Sequence, residues 1–198
     1  MSSQLRILSG QFRGIKLVAP SGLNTRPSKA LVRAAVMNML QIELDNSVFW
    51  DLFAGTGAIG LEAFSRGAKT VVFFEENKTA IACIKQNIET ICKHASKQQL
   101  PLPDLNLVTL SLENIRDFGL YPNPDFVWLD PPYSAISTLV SLCNRLLAKQ
   151  ANASFIIETS AEVSPSQLES AGLDAKFKIY KTKLYGQTAV HWYRVVKG

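Results

Sequence analysis

Dense apolar runs of five or six residues alternate along the chain with longer stretches whose apolar positions recur every three or four residues. "RPSKALVRAAVMNMLQI" (26–42) has helical spacing. It predicts Leu31, Ala35, Met39 and Ile42 on one face and Pro27 in the first turn, where a missing N–H is tolerated. "SVFWDLF" (47–53) reads as a buried strand, followed by glycines and a helix from about 58 to 66. "KTVVFFEE" (69–76) is the next strand, with a helix over roughly 78 to 94. After the proline-punctuated loop "KQQLPLPD" come two more strands, "LNLVTL" and "DFVWLD". "ISTLVSLCNRLLAK" then predicts a helix and "ASFIIE" a fifth strand. Alternating strands and helices imply a mostly parallel sheet covered on both faces. "KFKIYKTKLYGQTAVHWYRVVK" breaks the rhythm: two strand-like runs around Gly186-Gln187 predict an antiparallel hairpin.

Two strand ends carry residues that strands alone do not need. "WDLFAGTGAIG" follows the first strand and opens a helix, and Gly55, Gly57 and Gly60 satisfy G-x-G-x-x-G. Glycines there let backbone approach a ligand, and dinucleotide and adenosyl cofactors both use the arrangement. Glu75, with Glu76 beside it, ends the second strand 20 residues after Gly55 and is placed for ribose hydroxyls. It fits either cofactor. Asp51, ahead of Phe53, Ala54, Gly55, Thr56 and Gly57, separates them. An acid there can face the positive methionine part of S-adenosylmethionine and would repel a pyrophosphate; its structural alternative is a helix or loop cap.

The second strand end is "DFVWLDPPY" (125–133). Pro131 and Pro132 remove two N–H donors and fix φ twice, so the strand stops. Asp130 and Tyr133 are left at its carboxyl end, where open α/β sheets bind ligands. The exocyclic amine of a base is a poor nucleophile, because its lone pair is conjugated into the ring. A rigid carboxylate and backbone carbonyl can accept both N–H bonds and aim that lone pair, while a tyrosine offers a stacking face. The alternative is a proline-stiffened loop around a buried tyrosine.

Charge adds a partner. Residues 1–42 hold Arg6, Arg13, Lys16, Arg26, Lys29 and Arg33 without an acid, and residues 175–198 hold six more cations, Lys183 among them, again without one. The middle of the chain is net −7 although the whole is +5, so the basic ends point to a polyanion such as nucleic acid. Cys83, Cys92 and Cys143 lack metal-ligand spacing and read as buried thiols of a reducing cytoplasm. No apolar run is long enough to span a membrane, and "MSSQLRILSG" lacks the apolar segment of a secretory signal.

On these motifs the sequence resembles the bacterial guanine-N2 methyltransferases of small-subunit ribosomal RNA. The resemblance is carried by "RILSGQFRGIKL" (6–17), "TRPSKALVRAAVMNML" (25–40), "DLFAGTGAIGLEAFSRGA" (51–68), "VVFFEENKTA" (71–80), "LDPPY" (129–133) and "KLYGQTAV" (183–190). It implies an α/β, Rossmann-like class I methyltransferase fold: a mostly parallel seven-stranded sheet with a C-terminal hairpin and a small basic N-terminal extension. It implies S-adenosylmethionine as cofactor, held by the glycine loop, Glu75 and Glu76, with Ser111 and Leu112 near the adenine. It implies catalysis by Asp130, Pro131, Pro132 and Tyr133, and RNA contact by Arg6, Arg13, Lys16, Arg26, Arg33 and Lys183. Residues 1–45 would form the RNA-contacting extension and 46–198 the methyltransferase domain of a cytoplasmic monomer. The substrate would be a guanine of 16S ribosomal RNA, naked or in the assembled small subunit. Asn77 stands where the family tends to have an acid, and Lys29-Ala30 lacks a customary one. The rivals are amino methylation of adenine N6, or of guanine N2 in another RNA or DNA, a nonenzymatic RNA-binding factor, and an NAD oxidoreductase.

Overall fold

A computed structural model describes residues 4–20, 27–131, 136–148 and 152–196. The chain divides into two compact units, Met1–Ser111 and Leu112–Gly198. In the first, α1 (Pro27–Leu40) is followed by β1 (Val48–Leu52), α2 (Ala58–Ser65), β2 (Thr70–Phe74), α3 (Lys78–Lys97) and β3 (Asp104–Val108). β2 lies between β1 and β3 and is parallel to both. Every residue of β2 is buried, as a strand covered on both faces must be. The apolar run over 69–76 had predicted this.

The second unit holds β4 (Phe126–Leu129), α4 (Ile136–Leu147), β5 (Ser154–Ser160), α5 (Pro165–Ser170), β6 (Phe177–Tyr185) and β7 (Thr188–Val195). β4 and β5 are parallel; β7 runs antiparallel to β5 on one side and to β6 on the other. The terminal hairpin is therefore inserted with its second strand innermost, leaving β6 as an edge. Gly186, at φ +61°, makes the turn. Together these are the seven strands of a mixed α/β sheet with the C-terminal antiparallel hairpin the sequence implies. Among the described residues no helix is long and apolar enough to cross a membrane.

The first helix corrects one expectation. Leu31 and Ile42, expected on its inner face, are 62% and 95% exposed. The buried stripe is Val32, Val36, Met37 and Leu40, one residue further round. Both stripes repeat at four residues, and α1 turns 100° per residue, so the pattern alone does not choose between them. Arg33 shares the buried side, where it meets the Glu62 carboxylate of α2. α5 was not predicted, although Ser164, Pro165 and Gln167 form a capping box with proline at the first turn.

Candidate active site

The turn after β1 is built from backbone that ordinary residues avoid. Phe53 has φ +63°, Gly55 +57° and Gly57 +73°. A non-glycine residue there is strained, and such strain is retained where surrounding structure over-determines it. Two ties do so. The Ala54 amide continues the ladder to the Phe74 carbonyl at 3.1 Å, and the Gly57 amide closes back on the Ala54 carbonyl at 2.7 Å. Gly60 serves packing: a Cβ there would collide with the rings and branches of Phe73 and Val71, so glycine lets α2 lie against β2. At Gly55 the space a side chain would fill is open except for the Phe53 carbonyl at 4.0 Å. The loop thus presents bare backbone outward, which is what an extended ligand needs.

Glu75 is the anchor of this loop. One carboxylate oxygen accepts the Gly55 amide at 2.7 Å; the other accepts those of Glu76 at 3.0 Å and Asn77 at 2.8 Å. A carboxylate offers about four acceptor sites, so roughly one remains for a hydroxyl. Asp51 is 1% exposed, and its Oδ2 accepts the Gly60 amide at 2.9 Å. Its carboxylate sits at the N-terminus of α2, beneath the loop, where the helix dipole favours an anion. The cap expected as the alternative role of Asp51 is thus present. Glu76 is exposed, while Thr56 and Ser111 are half-buried and Leu112 is buried. Asn77 caps α3 by accepting the amides of Thr79 and Ala80 at 2.9 and 3.1 Å.

The basic N-terminal block folds as a small hairpin seated on α2. Arg6 and Lys16 form an antiparallel bridge, and Gly10 and Gly14 turn with φ +81° and +85°. Ile7, Phe12 and Leu17 point inward and are buried; Arg6, Arg13 and Lys16 are exposed. Each apolar anchor contributes about 1.5–3 kcal/mol by burial, and Phe12 also stacks on Phe64 with centroids 5.6 Å apart. A Cβ on Gly10 would fall on the Ser65 carbonyl, so only glycine allows this seat.

Three polar side chains, missed from the sequence, lock the block in place. Glu62, fully buried, accepts the amides of Leu8 at 2.7 Å and Ser9 at 2.9 Å. The Ser65 hydroxyl donates to the Ser9 carbonyl at 2.6 Å and accepts the Phe12 amide at 2.9 Å. Asn87 of α3 pairs with Val18, accepting its amide at 2.7 Å and donating to its carbonyl at 3.0 Å. The same amide group donates to the Thr56 carbonyl at 2.9 Å, so one side chain joins the basic block to the glycine loop. The available signal was polarity in the wrong place: Asn87 sits three and four residues from Ile84 and Ile91, on the buried stripe of α3.

Arg33 was expected at RNA and is placed inside. It is 6% exposed, donates to the Arg6 carbonyl at 2.9 Å and lies 3.8 Å from Glu62. Burial pulls its guanidinium below the usual arginine range, against the opposing pull of Glu62. It holds the hairpin that carries Arg6 and does not face a phosphate itself. Arg26, Pro132 and Tyr133 lie outside the described residues.

In the second unit, β4 is buried throughout and stops at Leu129, before the prolines. Asp130 and Pro131 follow half-buried. Lys183 is exposed on β6. Cys143 is fully buried and desolvation pushes its thiol up to about 12, consistent with a packing role. His191 of β7 is also buried, its ring nitrogens meeting the hydroxyls of Thr159 at 3.2 Å and Thr182 at 3.1 Å.

The fold is that of the Rossmann-like class I methyltransferases, with the glycine loop after β1 and an acid closing β2. The chain belongs to the family described as Conserved hypothetical protein 95, whose sequence profile matches residues 5–194. It is 32% identical over 162 residues to the ribosomal RNA small subunit methyltransferase D of Haemophilus influenzae, covering 80% of each chain. That relative agrees with the resemblance drawn from the motifs. Among solved structures, a conserved hypothetical protein of Streptococcus pyogenes is 31% identical with TM-score 0.66, over 83% of this chain and 95% of that one. The magnesium protoporphyrin IX methyltransferase of Synechocystis, solved with bound SAM, shares the fold at 15% identity and TM-score 0.63, over 85% and 80% of the two chains.

Proposed function

We propose that this protein is an S-adenosylmethionine-dependent methyltransferase that modifies the exocyclic N2 of a guanine in 16S ribosomal RNA. The observation that carries the reading is the Glu75–Gly55 bond of 2.7 Å, which holds an open, glycine-lined turn beside a carboxylate. That turn fits an adenosyl cofactor: backbone without side chains along one edge, and an acceptor site left on Glu75 for a ribose hydroxyl. When bound, the cofactor supplies an electrophilic methyl group. Asp51 contributes negative charge under the loop, complementary to a cationic cofactor and adverse to a pyrophosphate.

Asp130 and the neighbouring backbone carbonyl would accept the two N–H bonds of the guanine amine, and Tyr133 would stack the base. The prolines keep those acceptors still, so positioning and electrostatics supply the catalysis. With the amine so held, its nitrogen lone pair would take the methyl group as the methyl's bond to the cofactor's sulfur breaks, the electron pair staying on sulfur, and the amine proton would pass to solvent afterwards. Residues 1–45 form the RNA-contacting extension in this reading, with Arg6, Arg13, Lys16 and Arg26 toward phosphate; Lys183 of β6 is a further phosphate contact, and 46–198 carry the chemistry. The similarity to a small-subunit ribosomal RNA methyltransferase supports the substrate class. The deciding experiment incubates the protein with labelled cofactor and total ribosomal RNA or small subunits and then identifies the labelled nucleoside. N2-methylguanosine in 16S RNA is expected; label in N6-methyladenosine would overturn the base assignment.

A further inference from the structure

The edge strand β6 is not paired evenly with β7. Its register slips between Ile179 and Lys181, leaving Tyr180 as the extra residue of a bulge. Residues directly opposite across an antiparallel pair project to the same face. Lys178 is opposite Arg194, Lys181 opposite Trp192 and Lys183 opposite Val190, so the three lysines share one face with Arg194 and Trp192. A bulge re-aims its extra side chain, and here it brings Tyr180 to that face. Its ring centroid lies 4.9 Å from that of Trp192, and the Arg194 guanidinium sits 4.0 Å from the Tyr180 ring. Tyr180 remains 55% exposed, and all three lysines are exposed.

We propose that this face of the terminal hairpin is a landing surface for unpaired RNA. Lys178, Lys181, Lys183 and Arg194 take phosphates, and Tyr180 takes the face of a base. The proposal rests on the reading of the protein as an RNA methyltransferase. Charge complementarity selects a polyanion, since residues 175–198 contain no acid. Lysines and a bulge on an edge strand also discourage edge-to-edge pairing, but that purpose does not explain an exposed tyrosine held among the cations. The aromatic selects single strands: duplex bases stack on one another and offer no free face, whereas unpaired bases stack on protein rings.

The test measures the affinity of the full chain for a roughly 12-nucleotide oligouridylate across salt concentrations. Tyr180→Ala should weaken binding about tenfold at every salt concentration with the slope unchanged, the size of one lost stacking contact. Tyr180→Phe should stay within about twofold of the parent, since the ring is retained. Lys178→Ala combined with Lys181→Ala should lower the log–log salt slope by about 1.4, or 0.7 for each single-strand phosphate contact. Thermal melting confirms that each variant is folded. Parent-like binding by folded Tyr180→Ala would overturn the platform, and so would an equal loss on an RNA duplex. Ribosomal RNA methylation by the parent protein is scored separately. Its absence would sink the enzymatic reading, whereas methylation alongside parent-like oligonucleotide binding by Tyr180→Ala would sink the platform alone.

Discussion

The Glu75 carboxylate and the Gly55 amide are joined at 2.7 Å, so the end of β2 holds the turn that leaves β1. Glu75→Gln keeps the shape but replaces one acceptor oxygen by a donor, which must face either Gly55 or the Glu76 and Asn77 amides. An unsatisfied amide costs about 1–3 kcal/mol, and the strained turn loses its tie. The dissociation constant for S-adenosylmethionine should rise at least about tenfold, read by calorimetry. An unchanged constant would remove Glu75 from the cofactor site.

Asp130 should separate chemistry from cofactor binding. Asp130→Ala is expected to reduce turnover by about a hundredfold or more while the melting temperature and cofactor affinity stay close to the parent. Tyr133→Ala should also be impaired and Tyr133→Phe largely active, because stacking needs the ring and not the hydroxyl. Equal inactivity of the phenylalanine and alanine variants would show that the hydroxyl takes part.

Two arginines of the N-terminal block should behave oppositely. Arg33→Ala removes a buried partner of Glu62 and a donor to the Arg6 carbonyl; about 3 kcal/mol of stability should be lost. Arg13 is exposed, and Arg13→Ala should leave denaturation almost unchanged. It should instead weaken RNA binding and reduce the salt slope by roughly 0.7–0.9. Urea melts and salt-dependent binding on the two variants give the comparison. A stable Arg33→Ala protein would contradict the buried role.

His191 should give the fold an acid-side weakness. Burial lowers its pKa below the ordinary 6.5, opposed by its contact with the Val163 carbonyl. The unfolded chain therefore binds the proton more readily, and stability falls as pH drops below about 6.5 toward the folded value. Above that the histidine is neutral in both states and contributes no slope. Thermal melts from pH 8 to 5 should show the decline, and His191→Gln should flatten it even if the variant is less stable throughout.

Much of the fold was legible because strands buried on both faces leave no alternative pattern. "FVWL" and "TVVFF" could be little else, and the glycines after β1 marked the turn by their spacing. The inner face of α1 was not legible. Leu31 and Val32 begin equally good stripes, and the choice is made by packing against the rest of the fold, which buries Val32, Val36, Met37 and Leu40. Formal charge likewise counted Arg33 with the surface cations, since one-dimensional charge does not say which arginine has found a carboxylate. Asn87 shows the same limit: its residue type is visible in the sequence, but its two backbone partners, Val18 and Thr56, are assembled only by folding.

The small N-terminal hairpin has a consequence for biogenesis. It is synthesised well before its anchors: Leu8 awaits Glu62, 54 positions on, and Val18 awaits Asn87, 69 positions on. At about 5–20 residues per second, the second wait lasts roughly 3 to 14 seconds. Throughout it, Phe12 and Ile7 lack the surface that will cover them. When Asn87 arrives it engages Val18 and Thr56 with one amide group. A nascent chain therefore completes its basic hairpin and its glycine loop together, so neither matures before the other.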